Sequence, residues 1–163
     1  MKELPSEHLD PRIKSVWRIN DALSVALLAI VFIVPFTLVG VLADDASWAF
    51  VVVLAEVVAA IVALVLVVAV VPPIRYARWR YELSPEYLDI ACGIIWRKRY
   101  VIPFIRVQNT DTQQGPILRA FGLSSVTVAT AAGDHHIPGV DNATAELLRD
   151  KAAELARLAR EDV

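Results

Sequence analysis

From residue 22 to residue 43 the chain carries no charged side chain, and from 48 to 71 it carries only Glu56, in a run built almost wholly of valine, alanine and leucine. Each run reaches the roughly 20 residues that a helix needs to cross hydrocarbon. Only Asp44-Asp45-Ala46-Ser47 separates them, enough for a tight turn between antiparallel neighbours. A two-helix transmembrane hairpin over residues 22–71 (22–43 and 48–71) is the expectation, with Pro72-Pro73 predicted to end the second helix. Composition agrees: 56% of residues are apolar, 21% are charged and the mean hydropathy is +0.52, above that of ordinary soluble domains. The competing reading, a signal peptide cleaved after Val41-Leu42-Ala43, fits less well. The apolar run is longer than a signal core and begins only at residue 22.

Lys and Arg set the expected orientation. Arg12, Lys14 and Arg18 precede the first run and Arg75, Arg78 and Arg80 follow the second, whereas the connecting turn has none. Both termini are predicted to be cytoplasmic, residues 1–21 forming a cytoplasmic N-terminal segment of a multi-pass protein of the cell membrane. Trp17, Trp48, Tyr76 and Trp79 fall at the ends of the runs, where amphipathic rings favour the headgroup layer. Inside the runs, Glu56 is the one ionisable group and is expected to be protonated and hydrogen-bonded; the Val31 carbonyl, to which Pro35 cannot donate, is one candidate partner.

After Pro72-Pro73 the pattern turns to period-two alternation, beginning at Arg78. Trp79, Tyr81 and Leu83 share one face of a predicted strand over residues 78–83; residues 87–91, 94–102, 105–112 and 123–130 read as further strands, with a short one around His136 and Ile137. Gly93 permits the reversal between the second and third, and Pro116 to Phe121 reads as a helical turn closed by Gly122. A final helix, capped by Asp141 or Asn142, places Leu148, Ala152, Leu155 and Ala159 on one face. Residues 76–163 are therefore predicted to be an antiparallel β domain plugged by an amphipathic helix.

Several blocks in this half resemble a known family. Arg80-Tyr81-Glu82-Leu83, then Gly93 to Arg99 followed by Val101-Ile102-Pro103, then Ile105 to Asn109, Gln114-Gly115-Pro116, Phe121-Gly122-Leu123 and Ile137 to Val140 are similar to the bacterial pleckstrin-homology-like membrane proteins (the YdbS/YdbT-like, bacterial PH domain family). The resemblance implies a pleckstrin-homology-like antiparallel β-barrel behind a membrane hairpin, an α+β membrane protein of the bacterial cell membrane. It implies a fold more than a reaction.

No phosphate loop, nucleophile elbow or zinc-protease pair is present, so no enzyme, no cofactor and no metal site is expected. Adjacent His135 and His136 point to opposite faces of a strand, and single Cys92 cannot form a zinc ribbon. A net charge of -2 argues against nucleic acid. The candidate lipid- or partner-binding residues are Arg78, Arg80, Arg97, Lys98, Arg99 and Arg106, with Arg75 nearby; Arg97 and Arg99 share a strand face opposite Lys98. The expected function is a membrane-anchored, non-catalytic interaction module that binds a protein partner, a second copy in a homo-oligomer, or anionic lipid headgroups. Small residues such as Ala55, Ala59, Ala60 and Ala63 suit helix association. The alternative is a subunit of an oligomeric transport or channel assembly using Glu56 and Pro35.

Overall fold

The computed structural model describes residues 4–42 and 47–161; the expected turn over Asp44-Asp45-Ala46 lies outside the described residues. Among the described residues, two helices are long and apolar enough to cross a membrane, Ile13–Leu42 and Trp48–Arg78. The described residues up to Val16, with those from Ile74 onward, form one compact unit, and Trp17–Pro73 forms the other.

In the hairpin unit, α1 (Ile13–Leu42) carries Pro35 in its interior, and α2 (Ser47–Val65) leads through a π-helical turn at Leu66–Val70 into α3 (Val71–Arg78). Pro72-Pro73 thus does not end the second helix, contrary to expectation. The π turn shifts the hydrogen bonding by one residue, Val71 N–H donating to the Leu66 carbonyl, and the prolines fall in the first turn of α3, where a missing N–H is tolerated. One carbonyl is left in difficulty. At α spacing Val68 would accept from residue 72 and at π spacing from residue 73, and both are prolines. Arg18 resolves this by donating its Nε–H to the Val68 oxygen at 3.0 Å.

The β unit holds two three-stranded antiparallel sheets. The first is β1 (Arg80–Leu83), β2 (Tyr87–Cys92) and β3 (Lys98–Pro103), and the second is β4 (Val107–Gln113), β5 (Leu123–Thr130) and β6 (Gly133–Asp141). The expected closed barrel is not formed. Pro103 has no N–H to extend β3, and the 3-10 turn Phe104–Arg106 turns the chain out of the first sheet before β4 joins the second. The edges of β1 and β6 are instead joined through the N-terminal segment. Glu7 and Tyr81 exchange both backbone hydrogen bonds, and Asp10 N–H donates to the Gly139 carbonyl at 3.1 Å. Leu9, Ile13 and Val16 of this segment are buried, so residues expected to be a separate cytoplasmic segment form part of the β domain's core.

That core also contains Leu88, Ile90, Ile102, Phe104, Leu123, Val126, Ile137 and Val140. The short helix α4 (Pro116–Ala120) has its proline at the first position, and Gly122 follows at φ +65. The last helix, α5 (Asn142–Glu161), buries Ala145, Leu148, Ala152 and Ala156, while Leu155 and Ala159 of the expected face are only half-buried. Asp141 caps α5: its carboxylate accepts from the Thr144 N–H at 3.0 Å and from the Thr144 hydroxyl, which holds its pKa below the usual value. Asn142 serves elsewhere, accepting from Ser124 and Gln114. At the start of α1, bonds from the Arg12 guanidinium and N–H hold Asp10 below the usual carboxylate range. Burial pushes the Tyr81 phenol up to about 12.

Two substitutions test these contacts by thermal unfolding of the full chain in detergent. Arg18→Leu leaves the Val68 carbonyl without a donor and is expected to destabilise the chain by about 1–3 kcal/mol. At Gly139 a Cβ would overlap the Ile13 side chain, so Gly139→Ala is expected to cost about 1–3 kcal/mol. The control Gly115→Ala, where nothing lies within 4 Å, should be close to neutral.

Candidate functional site

The cationic residues divide by what they touch. Arg78 is the exposed last residue of α3. Arg80 opens β1 and its guanidinium lies against His8 Nδ1. Desolvation first, and then the Arg80 charge, lower the His8 pKa, so the imidazole there is the neutral acceptor.

Arg99 is committed to structure. Its Nη2 lies 2.6 Å from Asp89 Oδ2 and its Nε donates to the same carboxylate at 3.0 Å and 3.1 Å. Register explains the meeting: Arg99 pairs with Ala91, two residues along β2 from Asp89, so both side chains leave the same face of the sheet. Asp89 is only 3% exposed, and a carboxylate so buried needs its cation. The side chain read as a binding residue therefore neutralises a buried acid.

Arg97 and Lys98 remain exposed, and neither forms a salt bridge among the described residues. They sit where the β2–β3 hairpin opens, with Lys98 opposite Cys92. Burial pushes the Cys92 thiol up. Arg106 is exposed too, but in the 3-10 turn at the far end of β3. At about 3.3 Å per residue, that strand alone sets it roughly 17 Å from Lys98. The six candidates are thus not one cluster; Arg78, Arg97, Lys98 and Arg106 form no salt bridge among the described residues, and of these only Arg97 and Lys98 are adjacent.

The tip beside them was not legible as a site. The sequence places Ile95 and Trp96 within a strand over residues 94–102, but β3 begins only at Lys98, and the two side chains stand 84% and 80% exposed. Gly93 holds the turn at φ +105, where a Cβ would overlap the Trp96 carbonyl. The available signal was the run Ile94-Ile95-Trp96 itself, three consecutive apolar residues that break the alternation of a half-buried strand.

Inside the hairpin unit, Glu56 faces a groove of about 260 Å³ lined by Val25, Leu28, Ala29, Phe32, Ala59, Ala60 and Ala63. Its Oε2 is buried with no hydrogen-bond partner among the described residues, so the bond to the Val31 carbonyl is not seen. The two adjacent histidines diverge as their strand positions require. His135 packs its ring on Tyr100, centroids 4.8 Å apart, and His136 Nδ1 lies 2.9 Å from the Thr127 hydroxyl.

Residues 13–156 match the Bacterial PH domain family, a span that takes in both apolar helices and all six strands. The chain is also similar to the UPF0699 transmembrane protein YdbS of Bacillus subtilis (strain 168), 32% identical over 100% of each chain. No solved structure matches it significantly. A sequence match across hairpin and strands alike, with a fold of two antiparallel sheets and a C-terminal helix, settles its kinship: the chain belongs to the bacterial PH domain family.

Proposed function

We propose that the chain is a non-catalytic, membrane-anchored interaction module whose PH-like domain meets anionic lipid headgroups at the cytoplasmic surface. The observation that carries this reading is the exposed, unbridged pair Arg97 and Lys98 on a domain covalently continuous with two long apolar helices. Anionic headgroups attract a nearby Lys or Arg by about 1 kcal/mol each, and the helices keep the domain where that attraction operates. Connectivity supports the proposed topology. Residues before the first helix and after the second belong to one folded unit, so helices that cross a bilayer cross it as a pair and return to the same side. The excess of Lys and Arg flanking the hairpin favours the cytoplasmic side for both ends.

The test is capture of anionic vesicles by the full chain held in phosphatidylcholine vesicles. Capture should weaken with added salt, and the double charge reversal Arg97→Glu/Lys98→Glu should lower it by at least about tenfold. Capture that ignores both salt and the reversal rules the headgroup reading out.

A second reading concerns the hairpin and rests on Glu56. A carboxyl oxygen buried without a partner beside the small side chains of Ala59, Ala60 and Ala63 favours association with a second copy, in which the missing hydrogen bond is made between helices. In-cell crosslinking should recover a dimer that Glu56→Leu largely abolishes. A dimer unaffected by the substitution places the contact elsewhere and removes this reading.

A further inference from the structure

The β2–β3 tip combines two features that ordinary soluble hairpins keep apart. It is rigidly built: the strands pair without interruption from Tyr87 with Pro103 to Cys92 with Lys98, and Gly93 holds the reversal in a conformation that a side chain would strain. On that support it displays Ile95 and Trp96, more exposed than any other large apolar side chain described. Nothing in the domain's own packing calls for either residue, since the core face of this sheet is filled by Leu88, Ile90 and Ile102.

We propose that this tip dips into the headgroup layer of an anionic bilayer, Ile95 and Trp96 entering the apolar boundary while Arg97 and Lys98 stay among the phosphates. The inference rests on the headgroup reading above and gives it a contact point. Three considerations select a bilayer over a protein partner. Tryptophan is suited to the membrane interface, where its ring meets acyl carbon and its N–H meets water. The two cations directly following it are exposed and unbridged, matching a phosphate layer above an apolar one. The area is also too small for a protein interface. A tryptophan offers at most about 250 Å², so the pair falls well short of the roughly 800 Å² that each partner contributes to a stable complex. A tethered domain has no need of so large an area, because its anchor already confines it to the surface. The tip adds an attachment to the bilayer that is separate from the two apolar helices.

The experiment uses the full chain reconstituted in vesicles of phosphatidylcholine with or without phosphatidylglycerol. The emission of Trp96 is taken as the part of the fluorescence that Trp96→Phe removes, a substitution that an exposed position should tolerate. With phosphatidylglycerol present, that emission should shift to the blue, lose most of its intensity to lipids brominated high on the acyl chain, and resist aqueous iodide. In Arg97→Glu/Lys98→Glu the bromine quenching should be lost. Emission that iodide quenches and brominated lipid does not means a tip free in water and overturns the proposal. Emission that neither quenches means a tip covered by protein, a second copy included, and overturns it equally. Bromine quenching of the same size without phosphatidylglycerol overturns the anionic requirement. If Trp96 stays in water while the charge reversal still weakens vesicle capture, insertion fails and the headgroup reading stands.

Discussion

The β domain depends on a segment that precedes the two apolar helices. Glu7 pairs with β1 and Asp10 with β6, so the edges of two otherwise separate sheets are joined by residues that come before the first apolar helix in sequence. Exposed edges with unpaired N–H and C=O groups invite association, and this segment occupies two of them. Leu9 and Ile13 add the apolar side chains that the small sheets lack, and Gly139 lets Ile13 approach the backbone of β6. Folding of the domain therefore has to bring together chain on both sides of the excursion Trp17–Pro73, with Val16 at one end and Ile74 at the other. Such a long-range closure is slow relative to local hairpins. It also means that the residues after the hairpin do not by themselves make the whole unit.

Much of this was legible in the sequence, for identifiable reasons. The apolar runs read clearly because helix length and hydrocarbon thickness are linked by a fixed rise per residue. β5 matched residue for residue, since a Val- and Thr-rich run between Gly122 and the Gly133 turn leaves little latitude. Pro72-Pro73 misled because the rule that proline stops a helix assumes an unbroken α ladder. A π turn upstream and a donor from Arg18, fifty residues away, change that premise, and no local pattern announces such a donor. The N-terminal segment was missed although Leu9, Ile13, Val16 and Trp17 recur at helical spacing, because apolar residues ahead of a span read as part of the anchor.

The site was less legible because charge in a sequence has no depth. Seven cations in one stretch look alike until the register is known. Arg99 then proves to be the counter-ion of a buried Asp89, and removing it would leave an uncompensated charge inside the sheet. Its loss would register as instability, whatever the domain binds. Arg80 is turned to His8, and Arg106 is isolated by the length of β3. Arg78 is exposed too but stands at the end of α3, so the basic step directly behind the apolar tip is Arg97 and Lys98. Composition could supply the cations, but only the hairpin register shows that Arg99 is spent on Asp89 while its neighbours Arg97 and Lys98 are not.

The same accounting of polar groups applies inside the hairpin, where water is not available to compensate for a missing partner. Val68 and Glu56 pose the same problem with opposite outcomes. The carbonyl orphaned by two prolines is served from the other helix by Arg18, and in being served it ties α1 to the second helix at a defined height. Glu56 Oε2 finds nothing on α1, whose facing residues Val25, Leu28, Ala29 and Phe32 offer only carbon. A satisfied group of this kind stabilises the single chain. An unsatisfied one adds nothing to the fold and leaves its desolvation uncompensated, so of the two polar groups it is the Arg18 bond to Val68 that holds the helices together.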